Sequence, residues 1–219
     1  MDRHRRGKVQ FPIMRFPATV FVLLAILCPA GCMSQLKATS PRPVEATMDV
    51  FAQSSVLRHT SERACLLGFG APPEIEADSP MLTRAYQTRL VQRSPFARIK
   101  AIPDVVSSDA EALWYARKEA CALAIVPYLQ YMMDGSGGLP TKLVVRIRIL
   151  DAADGRVLWD LKQTAWSEPG PDVDLTWNTV VGAPAQRGHE LADCLADHFA
   201  AYLAQHLEQE EKEQADVKQ

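Results

Sequence analysis

The chain has 219 residues and a nearly balanced charge, with 24 Lys and Arg against 26 Asp and Glu. It lacks a basic surplus and any Arg/Lys stripe interleaved with aromatics, which excludes the electrostatic footprint of a nucleic-acid binder. A hydrophobic share of 47% is that of a globular chain able to bury a core, and the length suits one domain behind a short N-terminal segment.

That N-terminal segment places Arg3, Arg5, Arg6, Lys8 and Arg15 before an apolar run from Phe16 to Ala30, broken by Pro17 and Thr19. Ala30-Gly31-Cys32 then precedes the polar Ser34-Gln35-Leu36-Lys37. Basic, apolar and small-residue regions in this order are a secretory signal. Ala30-Gly31-Cys32 resembles the lipobox of bacterial lipoproteins, with Pro29 where leucine is usual. The resemblance implies cleavage after Gly31 and acylation of Cys32. An ordinary cleaved signal peptide and an uncleaved spanning helix compete with this reading, but Pro29, Gly31 and the abrupt polar change favour cleavage. Met14 offers a second start with the same address. Ser34 resembles the residue that sends lipoproteins to the outer membrane. Without residues 1–31 the chain carries 19 basic and 25 acidic side chains, a net of −6.

Residues 32–61 read as acylated Cys32 and a tether, with Pro41, Pro43 and little periodicity to Thr47 and an unassigned stretch from Met48 to Thr60. Residues 62–207 read as one α/β (α+β) domain. Its first strand, Arg63–Gly70, is continuously apolar and therefore central in a sheet. Ser79-Pro80 predicts a capped helix start, followed by Leu82, Ala85, Tyr86 and Leu90 on one face. Ser94-Pro95 ends that helix, and 96–102 forms a second strand. Ser108-Asp109-Ala110-Glu111 has the spacing of a capping box and opens a helix to about Ala120. A third strand runs from Leu123 through Tyr131, and Asp134 to Gly138 is a turn. Leu143, Val145, Ile147 and Ile149 alternate with Val144, Arg146 and Arg148, predicting a half-buried strand joined by an Asp151–Gly155 turn to a returning strand, 156–166. Residues 167–188 are irregular, and a last helix carries Leu191, Leu195, Phe199, Tyr202 and Leu203 to about Leu207. Residues 208–219 read as a charged tail. The expected architecture is a mixed five-stranded sheet with about three helices, in the order β-α-β-α-β-β-β-α.

This order resembles a group of envelope lipoprotein domains. The segments that carry the resemblance are Ala64-Cys65-Leu66-Leu67-Gly68-Phe69, Ala120 to Val126, and the hairpin Ile149-Leu150-Asp151 through Gly155-Arg156-Val157-Leu158-Trp159. The group includes the amino-terminal domain of the Tol–Pal translocation protein, the curli-secretion lipoprotein and activator lipoproteins of penicillin-binding proteins. Unlike the curli-secretion lipoprotein, this chain has no insertion suited to a spanning β-hairpin, since the 167–188 segment carries Pro169, Pro171, Asp172, Asp174 and Pro184. A pore is not expected.

Candidate chemistry is sparse. Ser136 lies in a glycine-rich turn but lacks the spacing of a nucleophile elbow. His59, His189, His198 and His206 show no partner pattern, and His198 and His206 read as lining a solvated helix side. Cys194 and His198 are four apart on a helix with no second pair to complete a metal site. Cys65, Cys121 and Cys194 read as small buried apolar residues, although any two could pair in an oxidising compartment. Arg146 and Arg148 read as exposed charges on one strand face. These readings predict no catalytic residues, metal or cofactor. They describe a lipoprotein anchored by Cys32 at the periplasmic face of the outer membrane, acting as a non-enzymatic binding or assembly partner of another envelope protein. Trp166, Trp177, Val180 and Val181 are the candidate contacts, because large apolar groups in a long loop suit a partner surface. The alternatives are a small-molecule or glycan binder, a cryptic hydrolase, or a non-pore subunit of a secretion assembly. The oligomeric state stays open.

Overall fold

The computed structural model describes residues 42–56, 59–135, 138–175 and 178–217. The proposed signal peptide, Cys32, Ser136 and Trp177 lie outside the described residues. Six strands form one mixed sheet: β1 (Glu45–Gln53), β2 (Arg63–Gly68), β3 (Arg98–Val105), β4 (Leu123–Met133), β5 (Thr141–Asp151) and β6 (Val157–Ser167), in the spatial order β1-β6-β5-β4-β2-β3. β2 runs parallel to β3 and β4, and all other neighbours are antiparallel. Three α-helices complete the domain: α1 (Ser79–Arg93), α2 (Asp109–Lys118) and α3 (Gly188–Val217).

The sixth strand corrects the tether boundary. β1 pairs with β6 from Glu45 opposite Trp166 to Gln53 opposite Trp159. Its inward side chains are Ala46 and Met48, too small or too flexible to raise a strong periodic signal, and its partner lies more than 100 residues away in sequence. The pairing is non-local, so only the assembled sheet displays it.

Two helix starts differ in detail from expectation. A 3-10 turn, Pro73–Asp78, runs straight into α1, so Asp78 occupies the cap position and Ser79 is the buried first helical residue. The hydroxyl of Thr83 donates to the Ser79 carbonyl at 3.0 Å instead. At α2, Ser108 Oγ accepts the Glu111 N–H at 3.2 Å, as the spacing predicts. The reciprocal arm lands one residue upstream, on the Ser107 N–H at 2.8 Å. Ser94 ends α1 in a left-handed conformation at φ 49° and donates its N–H to Leu90 O.

Residues beyond Leu207 are helical rather than frayed: α3 continues to Val217 through a run of Glu, Gln, Lys and Ala, all good helix formers. Ser55 Oγ and the His206 ring both contact Glu210 there. The 167–188 segment also gains order. It carries a two-stranded hairpin, β7 (Val173–Leu175) with β8 (Asn178–Val180). The Gly170 N–H donates to Ala183 O, Gly182 N–H to Asp172 Oδ1 and Gly188 N–H to Asp134 Oδ1, which tie the segment down at both ends.

The larger core lies on the sheet face covered by α1 and α3, where Leu66, Ile125, Leu129, Ile147, Leu161, Tyr86 and Phe199 are fully buried. Trp159 is 0% exposed, donates its indole N–H to Ser54 O at 2.8 Å and meets Tyr202 and His206 edge-on. A buried polar relay crosses this core. Tyr86 Oη donates to Gln163 Oε1 at 2.8 Å, and Gln163 Nε2 donates to Leu195 O at 3.0 Å, linking α1, β6 and α3. Burial pushes the Tyr86 phenol well above its ordinary range, with Cys194 adding to the shift. A smaller cluster under α2 holds Leu67, Ile102, Ala112, Ala116, Val126 and Leu150.

Within that smaller cluster Cys65 and Cys121 form a disulfide with Cα atoms 5.7 Å apart, which corrects the expectation of three reduced core cysteines. The bond joins β2 to the connection between α2 and β4. Both cysteines are buried and apolar-flanked, as expected, but their pairing depends on β2 and β4 lying side by side. Cys194 stays a free thiol, partly buried, and burial raises its pKa.

Candidate functional site

Alternation along β4, β5, β6 and β1 sends one set of side chains beneath α1 and α3 and the other to the opposite face. On that opposite face α2 covers β2 and the first part of β4, and the rest of the sheet is open. Cross-strand register assembles the open part in rows: Tyr128, Arg146, Lys162 and Asp49 in one, and Tyr131, Val144, Thr164 and Thr47 in the next. A third row holds Met133, Lys142, Trp166 and Glu45.

The arginines of this face and the Lys162–Asp49 couple are paired, while Lys142 and Glu45 have no ion-pair partner among the described residues. Arg146 grips Asp160 with two hydrogen bonds, Nε to Oδ1 at 2.9 Å and Nη2 to Oδ2 at 2.6 Å. Its guanidinium holds the Asp160 carboxyl below the usual carboxylate range against a smaller opposing effect of burial. The same bond raises the Arg146 pKa. Arg148 reaches Asp109, in the first turn of α2, at 2.6 Å. Lys162 and Asp49 approach at 3.5 Å. Arg146 and Arg148 therefore share a face, as the alternation requires, but form no unpaired basic ridge.

Between α2 and β4–β5 lies an open groove of about 460 Å³, lined by Ser107, Ser108, Tyr128, Gln130, Arg146 and Arg148 with Val106, Val126 and Pro127 at its floor and sides. Tyr128, in its lining, and Tyr131, in the next row, are 43% and 45% exposed. The face is thus a shallow polar groove with an aromatic rim, beside the Arg146–Asp160 and Arg148–Asp109 ion pairs.

The expected contact cluster divides. Trp166 lies half-buried on the open sheet face, between Lys142 and Glu45. Val180 and Val181 are exposed on and just after β8. Tyr128 and Tyr131 were not among the expected contacts. Their signal was present in the alternation with buried Leu129, which marks Tyr128 as outward-facing, but a continuous apolar run concealed it.

The histidines are more engaged than expected. His59 is buried, with Glu62 Oε2 at 2.8 Å and Asp151 Oδ2 at 3.7 Å, and so braces the β5–β6 turn. His206 packs on Trp159 and contacts Gln53, which corrects its reading as a solvated side chain, and His198 is likewise only partly exposed. Among the described residues no group of three or more His, Cys, Asp or Glu could hold a metal ion. No described helix is long and apolar enough to cross a membrane.

No protein-family profile matches the sequence, and no curated protein matches it. Solved structures do resemble the fold. The PelC dodecamer from Paraburkholderia phytofirmans is similar with a TM-score of 0.53 at 13% identity, over 73% of this chain and 98% of that one. The lipoprotein GNA1162 from Neisseria meningitidis is a weaker likeness, with a TM-score of 0.39 at 9% identity over 66% of this chain and 99% of that one. The chain thus has the mixed α/β fold of a PelC subunit. At this identity the likeness concerns the fold alone.

Proposed function

We propose that this chain is an exported, lipid-anchored module of the bacterial cell envelope that assembles with itself and holds another envelope protein against the open face of its sheet. The observation that carries the reading is that face. Half of one side of a six-stranded sheet is left without a helix, and it displays Tyr128, Tyr131, Trp166 and two ion-paired arginines. Tyr, Trp and Arg are the residue types enriched at the buried centres of protein interfaces. Arg146 and Arg148 are already paired with Asp160 and Asp109, so a partner can cover these two without burying an unpaired ion.

Two further features support the setting. Ala30-Gly31-Cys32 after a basic and apolar segment fits an acylated export signal, and the Cys65–Cys121 bond fits an oxidising compartment outside the cytoplasm. The likeness to a PelC dodecamer supports self-assembly. No catalytic step is assigned.

The test places a photo-crosslinking amino acid at Tyr131 or Trp166 of the full lipidated chain in growing cells, with Val91 on α1 as the control. A discrete adduct with another envelope protein from the first two sites only is the expected result. Equal or absent adducts from all three sites would overturn the reading. Labelled palmitate, incorporated by the natural chain and lost in Cys32→Ala, tests the anchor. A second reading, a small polar ligand, is favoured by the groove over Arg146 and Arg148. It predicts that Arg148→Ala abolishes ligand binding while leaving the Tyr131 adduct intact.

A further inference from the structure

The sheet has two free edges among the described residues, β1 at one side and β3 at the other. An edge strand exposes a row of unpaired N–H and C=O groups, ready to pair with another chain. The two edges differ in charge. On β1 the side chains of Glu45 and Asp49 project to the open face, since Ala46 and Met48 pack on the opposite core. On β3 Arg98 and Lys100 project to the same face of the sheet, since Ile99 packs on that opposite core. Among the described residues neither Glu45 nor Arg98 has an ion-pair partner, whereas Lys100 contacts Glu119.

We infer that copies of this chain join head to tail through these edges, β1 of one copy beside β3 of the next, with Glu45 and Asp49 meeting Arg98 and Lys100. Strand direction permits it. β4, β2 and β3 run one way, β5 the other, β6 back, and β1 opposite to β3. Two copies in the same orientation therefore bring β1 and β3 together antiparallel, the geometry of the more stable ladder. Opposite charges facing each other across strands stabilise such a pair, and like charges destabilise it.

Local features set the extent of the joint. Pro103 has no N–H to donate and β1 is bulged between Val50 and Ala52, so pairing is confined to Arg98–Ile102 against the first half of β1. Phe51 on β1 is 62% exposed, and Trp114 of α2 is 55% exposed with the Lys118 ammonium over its ring. The contact uses two different surfaces, so every copy keeps one edge for the next. The assembly closes into a ring or grows as a filament, and cannot stop at a symmetric dimer.

This inference rests on the self-assembly proposed above, and the experiment separates the two. The full lipidated chain is extracted in mild detergent and its mass is measured by light scattering against concentration, for the natural chain, E45K/D49K, R98E/K100E and the combination of all four. Circular dichroism and retention of the Cys65–Cys121 bond confirm that each is folded. The expected result is a natural assembly larger than a dimer, an affinity about tenfold or more weaker in each single-edge variant at low salt, and restoration in the combined variant. A natural assembly unmoved by either edge variant, or weakened by both and not restored in combination, would overturn the edge contact and leave self-assembly standing. A monomer at every concentration would overturn both.

Discussion

The two faces of one sheet are built from alternate residues of the same strands, yet they have opposite fates. Under α1 and α3, Ile125, Leu129, Val145, Ile147, Trp159 and Leu161 are wholly buried, while their neighbours Tyr128, Arg146 and Lys162 reach solvent. Period-two alternation decides which residues part company. It does not decide which set a helix will cover. That depends on helix length and placement: α3 has 30 residues, whereas α2 has 10 and at about 1.5 Å per residue spans only part of the sheet. The difference separates a face that carries stability from one free to carry recognition.

The contrast is broken most severely on the covered face. Trp159→Ala removes the largest fully buried side chain and should cost about 3–5 kcal/mol, read from the urea midpoint. Replacing both Cys65 and Cys121 by Ala opens a loop closed over a separation of 56 residues and should cost about 2–4 kcal/mol in the same measurement. Tyr86→Phe strands the buried Gln163 carboxamide oxygen and should cost about 1–3 kcal/mol, and Gln163→Leu in the same background should recover part of the loss.

On the open face the effects should shrink. Asp160 has its pKa lowered by Arg146, so its contribution to stability is present above the ordinary carboxylate pKa and is lost as pH falls through the lowered folded value. Asp160→Asn should therefore cost at most about 1 kcal/mol at neutral pH and nothing once both states of the natural carboxyl are protonated. Thermal melts at the two pH values check the sign. Tyr131→Ala should change stability by no more than about 0.5 kcal/mol. A loss comparable to that of Trp159→Ala would mean that the two faces are not divided as described.

Much of the fold was legible in local pattern. The β5–β6 hairpin follows from strict alternation on either side of Asp151–Gly155, where Gly155 adopts φ 78° and permits the turn. The Ser108 cap, the Ser94 stop and the continuously apolar β2 likewise follow from a few adjacent residues. β1 was illegible because an edge strand with one half-buried side needs only Ala46 and Met48 facing the core. The open aromatic face was illegible as a site because Tyr128 and Tyr131 sit in a strand whose other residues are core. Trp166 ends the returning strand as its position predicts, and only the cross-strand register shows that it closes the last row of the open face.

By itself, the sequence determined the elements whose causes are local: spacing selects strand or helix, and capping, proline and turn residues end them. Residue type and order also carry the basic, apolar and small-residue run that ends at Cys32. Only the tertiary structure decided the six-strand order, the Cys65–Cys121 pairing, the Tyr86–Gln163–Leu195 relay and the half of the sheet left open. Each of these joins residues distant along the chain, and their energies depend on which surfaces meet once the chain has folded.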